Sequence, residues 1–286
     1  MEQDKDYWDI EIKPRGSNFS LNLKEVWRYK DLLQMYIRRD IVTMYKQTIL
    51  GPLWFIIQPL FTTIMYMFVF GGIANISTDG LPQMLFYLAG ILCWSYFADC
   101  LGRASSTFSA NAGVFSKVYF PRLVVPISGT VSNLIRLVIQ LGLFLVIYFY
   151  YIYNGVDIKP NTTILLFPLL ILMIGGLGMG FGIIISSMTT KYRDLAILFG
   201  FITQLWMYAT PVIYPLSAIP ERYSQVKWII ELNPLTPIVE AVRYGFMGAG
   251  EFSWNGLIYS FIFTIVVLIA GAWVFNKVER SFVDVV

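Results

Sequence analysis

The sequence predicts an all-α integral membrane protein with six transmembrane helices, an amino-terminal amphipathic interfacial helix, and two short re-entrant external helices before the last span. Hydrophobic residues make up 57% of the 286-residue chain, charged residues only 14%, and the mean hydropathy is +0.63. That composition leaves too little charge to cover a soluble globule of this size. The apolar residues also cluster into six runs, and a helix needs about 20 such residues to span a bilayer.

The amino-terminal part of the chain is polar and divides into two pieces. Residues 1–23 are mixed in charge, and we expect them to form a loosely ordered cytoplasmic tail. Residues 24–50 are expected to form an amphipathic helix on the inner leaflet, because a membrane span follows with almost no linker. A soluble helix packed on a partner domain is the alternative. Apolar side chains recur at three- and four-residue steps at Val26, Tyr29, Leu33, Tyr36, Ile37 and Ile41. The charged side comprises Lys24, Arg28, Lys30, Asp31, Arg38, Arg39 and Asp40.

The transmembrane domain is expected to cover residues 51–286. Tyr45 and Lys46 suit the lipid headgroup zone, because an aromatic ring with a polar tip and a long cationic side chain are both tolerated there. Pro52 can open the first spanning helix, since its missing N–H would have had no partner within the helix. The six spans are placed at 52–73, 84–106, 123–152, 163–188, 195–214 and 255–276.

Basic residues are distributed unevenly between the connections. Most of the 21 Lys and Arg residues lie in the amino-terminal region, the second-to-third and fourth-to-fifth connections and the carboxyl tail. The positive-inside rule therefore places both termini in the cytoplasm. The connection at 215–250 falls on the external side, and its short apolar pieces at 226–232 and 238–247 predict two helices that dip back toward the bilayer. A soluble external cap is the alternative.

Several polar side chains fall inside the predicted spans. Arg136 lies deep in the third span, where a charged residue is a functional candidate. Asn133 and Gln140 share its helix face, at spacings of three and four residues. Asp99, on the second helix, could pair with Arg103 one turn on, or with Arg136 across helices. A purely structural ion pair is the alternative to a functional role.

The fourth span contains the glycine-rich segment GGLGMGFG. A dinucleotide-binding loop is excluded, because such a loop joins a strand to a helix in water. Small residues four apart allow helix backbones to approach closely. Gly178 and Gly182 are therefore expected to mark a packing seam.

Aromatic residues make up 17% of the chain and are frequent in the first and fifth spans. Their faces stack on the C–H faces of sugar rings, so they could line a conduit for glycan. An interfacial aromatic belt is the alternative. The candidate residues are Trp54, Phe55, Phe61, Tyr66, Phe199, Trp206, Tyr208 and Tyr214.

The sequence indicates no catalytic residue and no metal site. It contains no histidine, no nucleophile elbow, no cluster of carboxylates at metal-ligand spacing and no P-loop. We therefore expect no cofactor in this chain, and the basic residues form no stripe that would bind nucleic acid. Uphill movement of a substrate would need a partner or an ion gradient. Cys93 and Cys100 lie too far apart along one helix to form a disulfide.

Four stretches give the chain a family resemblance. They are YKQTILGPLWFIIQPL at 45–60, KVYFPRLVVPIS at 117–128, YRDL at 192–195 followed by TPVIYP at 210–215, and NPLTPIVEAVRYGFMG at 233–248. With these motifs in this order, the chain resembles the membrane subunits of ATP-binding-cassette polysaccharide exporters, the permeases that export O-antigen, capsule or teichoic acid. The likeness extends from about residue 32 to the carboxyl end.

The resemblance implies a homodimer that encloses a continuous channel, with two copies of a cytoplasmic ATPase beneath it that bind ATP and Mg²⁺. The amphipathic helix would be a gate helix, hinged at Tyr45, Lys46, Gly51 and Pro52. The external helices would form a periplasmic gate, and the eight aromatic residues would line the channel. A coupling helix at about 109–122, and a weaker site at the turn before the fifth span, would meet the ATPase. The coupling residues would be Val114, Phe115, Tyr119, Phe120, Arg122, Arg193 and Asp194.

The expected function is that of a transport subunit, not an enzyme, which translocates lipid-linked polysaccharide of the O-antigen type across the bacterial inner membrane. Export of teichoic acid or capsule, and a drug or small-lipid exporter on the same scaffold, are alternatives. A membrane-embedded glycosyl- or acyltransferase is a different class, and the chain lacks the convergent acids or histidines that it would need. An ion-coupled carrier is also an alternative, although internal repeats with paired broken helices are not evident.

Overall fold

The chain folds into a bundle of helices. The computed structural model describes residues 23–46, 48–115, 117–118, 120–219 and 224–282, and within these ranges it contains helices and turns but no β-strand. The predicted all-α class is therefore confirmed. The helices are α1 (Leu23–Arg28), α2 (Lys30–Tyr45), α3 (Trp54–Tyr66), α4 (Gln83–Ser105), α5 (Thr107–Phe115), α6 (Val124–Tyr153), α7 (Phe167–Thr189), α8 (Leu195–Tyr208), α9 (Ser224–Glu231), α10 (Thr236–Met247) and α11 (Trp254–Phe282).

Five of the six predicted spans are confirmed as helical stretches long and apolar enough to cross a membrane. They are Gly51–Ile73, Gln83–Phe115, Val124–Tyr153, Thr162–Thr189 and Trp254–Val278. The first includes a 3₁₀ turn before α3 and a π-helical stretch after it, and the second runs through α4 into α5.

The run at 195–214 differs from the other five. Only its first 14 residues form a helix, α8, which at 1.5 Å per residue is about 21 Å long. The hydrocarbon core of a bilayer is about 30 Å thick, so α8 alone is shorter than a full span. Residues 209–215 continue as turns that contain Pro211 and Pro215. Proline cannot donate a helical hydrogen bond, and this explains why the helix does not continue.

Helix α4 lies at the centre of the bundle and packs on α3, α6 and α7. Its contact with α7 depends on two glycines. A Cβ at Gly178 would lie 2.7 Å from the carbonyl oxygen of Phe97, and a Cβ at Gly182 would lie 2.7 Å from that of Leu101. Because these neighbours are backbone atoms, a larger residue would push the helices apart. The predicted packing seam is confirmed.

One end of the bundle, called here the α5 end, is formed by α1, α2, α5 and the beginning of α6. The predicted amphipathic helix is divided at Tyr29 into α1 and α2. An apolar cluster holds both helices against the ends of α4, α7 and α11. Its buried members are Val26, Tyr36, Ala104, Phe108, Phe115, Phe120, Val124, Val125, Ile183 and Phe275.

Asp40 was expected on the charged side of the amphipathic helix, and this expectation is wrong. The Asp40 side chain is 4% exposed, and together with Tyr36 it is one of the two buried residues of α2. The reason is an ion pair with Arg103 of α4, which compensates for the removal of the carboxylate from water.

The opposite end, called here the α10 end, is formed by residues 74–82, 209–219, α9 and α10. Helix α10 packs on α4, α7, α11 and the 3₁₀ turn Thr162–Leu166. It ends at Gly248, whose φ of +72° suits glycine in a left-handed cap. The structure thus contains both predicted short helices, and α10 is almost entirely buried within the chain.

Candidate functional site

The described residues between α2 and α3 leave the helical conformation at two of the predicted hinge positions. Helix α2 ends at Tyr45, and Lys46 has an extended backbone with ψ of 129°. The Thr48 hydroxyl donates a hydrogen bond to the Tyr45 carbonyl at 3.0 Å. Gly51 has φ of +48°, a conformation that strains other residues, and Pro52 lies in the first turn of the helix that follows. The gating role of these residues stays a prediction.

Helices α3 and α8 carry seven of the eight candidate channel residues, and both helices are largely exposed in the single chain. Only Pro59 and Thr63 of α3 are buried, and no residue of α8 is. Three of the eight candidate aromatic residues lie on these uncovered faces. Trp54 is 52% exposed, Phe61 is 64% exposed and Tyr208 is 57% exposed.

The other candidate aromatic residues contact the bundle. The Trp206 ring packs edge-on against Phe97 at 5.2 Å and against Phe181 at 5.1 Å between ring centres. Phe199 is half-buried against the same core, and Phe55 lies under the Arg136 guanidinium.

Two tyrosines join the neighbouring elements at the α10 end. The Tyr66 hydroxyl of α3 lies 3.6 Å from the Met207 sulfur of α8, and the Tyr214 hydroxyl donates to the Tyr208 carbonyl at 2.9 Å. Three of the eight candidate residues are therefore exposed, and the other five contact the bundle.

Arg136, Asp99 and Gln58 form a polar network between α3, α4 and α6. Arg136 donates from Nη1 to Asp99 at 2.9 Å and from Nη2 to the Gln58 side-chain oxygen at 3.0 Å. Asp99 thus pairs with Arg136 on another helix, and Arg136 was one of its two expected partners. Gln140 accepts a hydrogen bond from Ser95 at 2.8 Å, and the Asn133 amide lies 3.8 Å from the Cys100 sulfur.

A polar cavity of about 440 Å³ lies next to this network, between α2, α4 and α6. Its lining includes two carboxylates, one guanidinium and three uncharged polar side chains. The lining residues are Asp40, Thr43, Met44, Ala98, Asp99, Gly102, Arg103, Ser106 and Asn133. In the described part of the chain, no three His, Cys, Asp or Glu residues are grouped closely enough to hold a metal ion.

The residues expected to meet an ATPase differ in exposure. Val114 is 41% exposed, whereas Phe115 and Phe120 are 5% and 4% exposed and belong to the apolar cluster of the α5 end. Arg122 is 8% exposed, and its guanidinium lies 5.2 Å from the centre of the Phe115 ring. Tyr119 lies outside the described residues.

The turn before α8 carries the last two candidates. Both Arg193 and Asp194 are exposed. Contact of any of these residues with an ATPase stays a prediction.

Sequence reasoning missed a buried charged cluster at the α10 end. Arg243 is 1% exposed, and it donates to Glu240 at 3.2 Å and to the Val212 carbonyl at 2.8 Å. Burial raises the pKa of the Glu240 carboxyl, which Arg243 opposes, and burial lowers the pKa of the Arg243 guanidinium. An acid and a base three residues apart on an otherwise apolar helix were the available signal.

Comparisons with known proteins agree with this architecture. The family profile described as "ABC-2 type transporter" matches residues 31–247. An O-antigen export system permease protein of Klebsiella pneumoniae is 30% identical over 260 residues, which cover 89% of this chain and 95% of the relative. An O-antigen export system permease protein of Myxococcus xanthus is 28% identical, covering 77% of this chain and 82% of the relative. A polysialic acid transport protein of Escherichia coli is 26% identical, covering 85% and 92%.

Proposed function

This chain belongs to the ABC-2 type transporter membrane family, and on that premise we propose that it is the channel-forming permease of an ATP-driven exporter of lipid-linked polysaccharide. The proposed cargo is a glycan of the O-antigen type, which crosses the inner membrane from the cytoplasmic to the outer side. The names of the relatives support this cargo, because the two with the highest identity given above are O-antigen export permeases.

The observation that carries the proposal is the chemistry of the uncovered faces of α3 and α8. Each face exposes a side-chain amide among aromatic and aliphatic residues: Gln58 on α3, whose oxygen also accepts from Arg136, and Gln204 on α8. A polar group facing hydrocarbon is costly, so such a face favours contact with a polar path. The exposed side of α11 differs, because it presents only apolar residues over Ile258–Ile269, which suits lipid.

Two copies of the chain would bring these faces together around one channel. The exposed rings of Trp54, Phe61 and Tyr208 would stack on sugar rings, and the amides would bond to hydroxyl groups. A long polar chain could then pass in steps without entering lipid. This arrangement requires a homodimer, since one copy leaves the path open on one side.

The external side of the channel would be closed by α9 and α10 as re-entrant helices. Such helices need partners for the backbone groups at their ends. In α10, Asn161 donates from its side chain to the Tyr244 carbonyl at 2.9 Å, and the Tyr148 hydroxyl donates to the Phe246 carbonyl at 2.8 Å. Asn233 accepts from the Leu235 N–H at 3.1 Å at the other end. These bonds support a re-entrant position, and α8 with the turns after it would complete the sixth crossing.

The energy would come from two copies of a cytoplasmic ATPase that bind ATP and Mg²⁺. Both termini, α2 and α5 would then lie on the cytoplasmic side. Val114 is the exposed apolar side chain of α5 that would enter a cleft on the ATPase, while the buried Phe115 and Phe120 would hold α5 in place. Arg193 and Asp194 would add a weaker polar contact.

A deletion strain tests the function directly. Without the chain, we expect lipid-linked glycan to accumulate in the cytoplasm and surface polysaccharide to disappear, and a plasmid copy should reverse both effects. A second deletion in the first glycosyltransferase of the glycan should abolish the accumulation, which controls for general membrane damage. Normal surface polysaccharide with no accumulation would contradict the proposal.

Capsule export is the second candidate, because a relative at 26% identity is a polysialic acid transport protein. The same strain separates the two. Loss of a lipopolysaccharide side chain favours O-antigen, and loss of capsule alone favours the second candidate.

A further inference from the structure

Two side chains of α2 reach into the bundle, and both contact residues that flank α5. Tyr36 and Asp40 are one helical turn apart and therefore lie on the same face of α2. The Tyr36 ring centre is 6.1 Å from that of Phe120, which follows α5. The Asp40 carboxylate is 2.5 Å from Nη2 of Arg103, which precedes α5. The contacts of α2 thus bracket α5 in the sequence.

The buried Asp40 carboxylate forms an ion pair with Arg103. Its Oδ2 atom accepts from Arg103, and its Oδ1 atom accepts from Arg39 at 2.9 Å. The Arg103 stem crosses α6 at Gly129, where a Cβ would lie 2.6 Å from the Arg103 Cγ. Glycine at this position therefore leaves the space through which Arg103 reaches α2.

The carboxyl half of α2 borders the polar cavity. Thr43 and Met44 of α2 line one side of the cavity, and Gly102 of α4 and Ser106, which follows α4, line the other. Helix α2 also packs along α6, and the ion pair with Arg103 is the charged contact that links this half of the helix to α4.

The Tyr36 contact continues into α5 through aromatic rings. Phe120 lies 5.7 Å from Phe115, and Phe115 lies 6.1 Å from Phe108, between ring centres. Phe108 and Phe115 belong to α5 itself. The Tyr36 contact thus links α2 to the aromatic residues of α5, and the Asp40 contact links α2 to the end of α4 that leads into α5.

We propose that Asp40 and Arg103 form a positioning pair that makes α2 move together with α5 and so transmits the movement of α5 to the hinge residues Lys46, Gly51 and Pro52. The inference rests on the proposed function, because it takes α5 as the segment that an ATPase moves. Arg103 acts through Asp40 and needs no contact with the glycan.

Distance measurements between spin labels test the linkage without any glycan. Labels would be placed at Met35 of α2, Ala110 of α5 and Val266 of α11, in the complex with the ATPase and with Cys93 and Cys100 replaced by alanine. Between the nucleotide-free and vanadate-trapped states, we expect the Met35–Ala110 distance to stay constant while Met35–Val266 changes. In Arg103→Gln, the Met35–Ala110 distribution should broaden, and in Arg38→Gln, an exposed arginine of α2, it should not. A Met35–Ala110 distance that changes in the wild-type complex would overturn the proposal.

A thiol cross-link then tests whether the linkage serves export. In Asp40→Cys/Arg103→Cys, the reduced protein should export glycan about tenfold less than the parent while the ATPase continues to turn over, a change typical of lost coupling between sites. A reducible cross-linker between the two thiols should restore export, because it replaces the ion pair. Full export in the reduced state, or no recovery on linking, would overturn the proposal. If the proposed glycan cargo were wrong, export of that glycan would be unchanged after deletion of the chain. The spin-label distances would still test the link between Asp40 and Arg103.

Discussion

The Arg243 guanidinium lies 3.7 Å from the centre of the Phe86 ring and thereby joins α10 to α4. The same group bonds to the Val212 carbonyl, so it also holds the segment that follows α8. Glu240 completes the cluster and accepts a hydrogen bond from the Glu251 N–H at 3.2 Å. One buried cation therefore connects α10, α4 and the segment after α8, and a lysine could not replace the planar geometry of its guanidinium.

We expect Arg243→Lys to destabilise the protein although the charge is kept. A lysine ammonium cannot bond to Glu240 and Val212 in the same fork and lie flat on Phe86. The loss of a buried hydrogen bond costs about 1–3 kcal/mol. The unfolding midpoint of the purified protein in detergent should fall accordingly.

Lys159→Gln is the matched control for Arg243→Lys. Lys159 pairs with Asp157 at 3.0 Å, but both side chains are 78% exposed. Surface pairs contribute little, so its unfolding midpoint should stay at the wild-type value. Equal midpoints for Arg243→Lys and Lys159→Gln would show that the cluster has no structural role.

The positions of the long spans could be predicted from sequence because hydropathy and length determine them directly. The predicted run at 163–188 and the observed stretch Thr162–Thr189 illustrate how closely the two agree. The end of α8 was missed, although Pro211 in the sequence disfavours a continued helix. Residues 209–214 are as apolar as a span, and their turn conformation depends on contacts such as the Asn233 side chain bonded to the Ala209 carbonyl at 3.0 Å.

Gly182→Ala is expected to destabilise the bundle through a single added methyl group. The new Cβ would contact the Ala104 Cβ and lie 2.7 Å from the Leu101 carbonyl oxygen, and neither neighbour can move without displacing α4. Such overpacking costs about 1–3 kcal/mol. Thermal unfolding in detergent measures the change.

Gly142→Ala provides the comparison for the packing seam. No atom lies within 4 Å of a Cβ built at Gly142 of α6, and alanine favours helix over glycine by about 1 kcal/mol. Gly142→Ala should therefore be neutral or stabilising. If Gly182→Ala were equally well tolerated, the close approach of α4 and α7 would not depend on glycine.

The pair between Asp99 and Arg136 is expected to stabilise the packing of α3, α4 and α6. Each single change, Asp99→Asn or Arg136→Gln, leaves a partly buried charge without its partner, which costs about 3–5 kcal/mol for a fully buried pair. The double variant removes both charges and should recover part of this loss. Unfolding midpoints of the four proteins give the coupling between the two residues.

Export by the same double variant separates a structural pair from a functional one. We expect export to follow stability, so the double variant should transport more glycan than either single variant. A double variant that is stable but exports nothing would identify the charges as part of the transport path.

The candidate site could be predicted only in part, because its charged contacts are long-range. The Arg136 position and its face followed from helical spacing, and Asp99 was one of the possible partners of the arginine. The spacing rules gave no indication that Asp40 turns inward to Arg103, since the two residues lie on different helices. A pattern of charged residues shows which face of a helix could be exposed to water. An oppositely charged partner on another helix can nevertheless allow one of these residues to be buried.

The central claim is that glycan passes along the uncovered faces of α3 and α8. A photoreactive benzoyl-phenylalanine would replace Phe61 of α3 or, as the matched control, Phe261 of α11, which are 64% and 44% exposed. The cells would carry an ATPase that binds but cannot hydrolyse ATP, so that substrate stalls in the permease. On irradiation, we expect a glycan-carrying product from position 61 that disappears when glycan synthesis is blocked, and none from position 261. Equal glycan labelling at both positions, or labelling at 261 alone, would contradict the account.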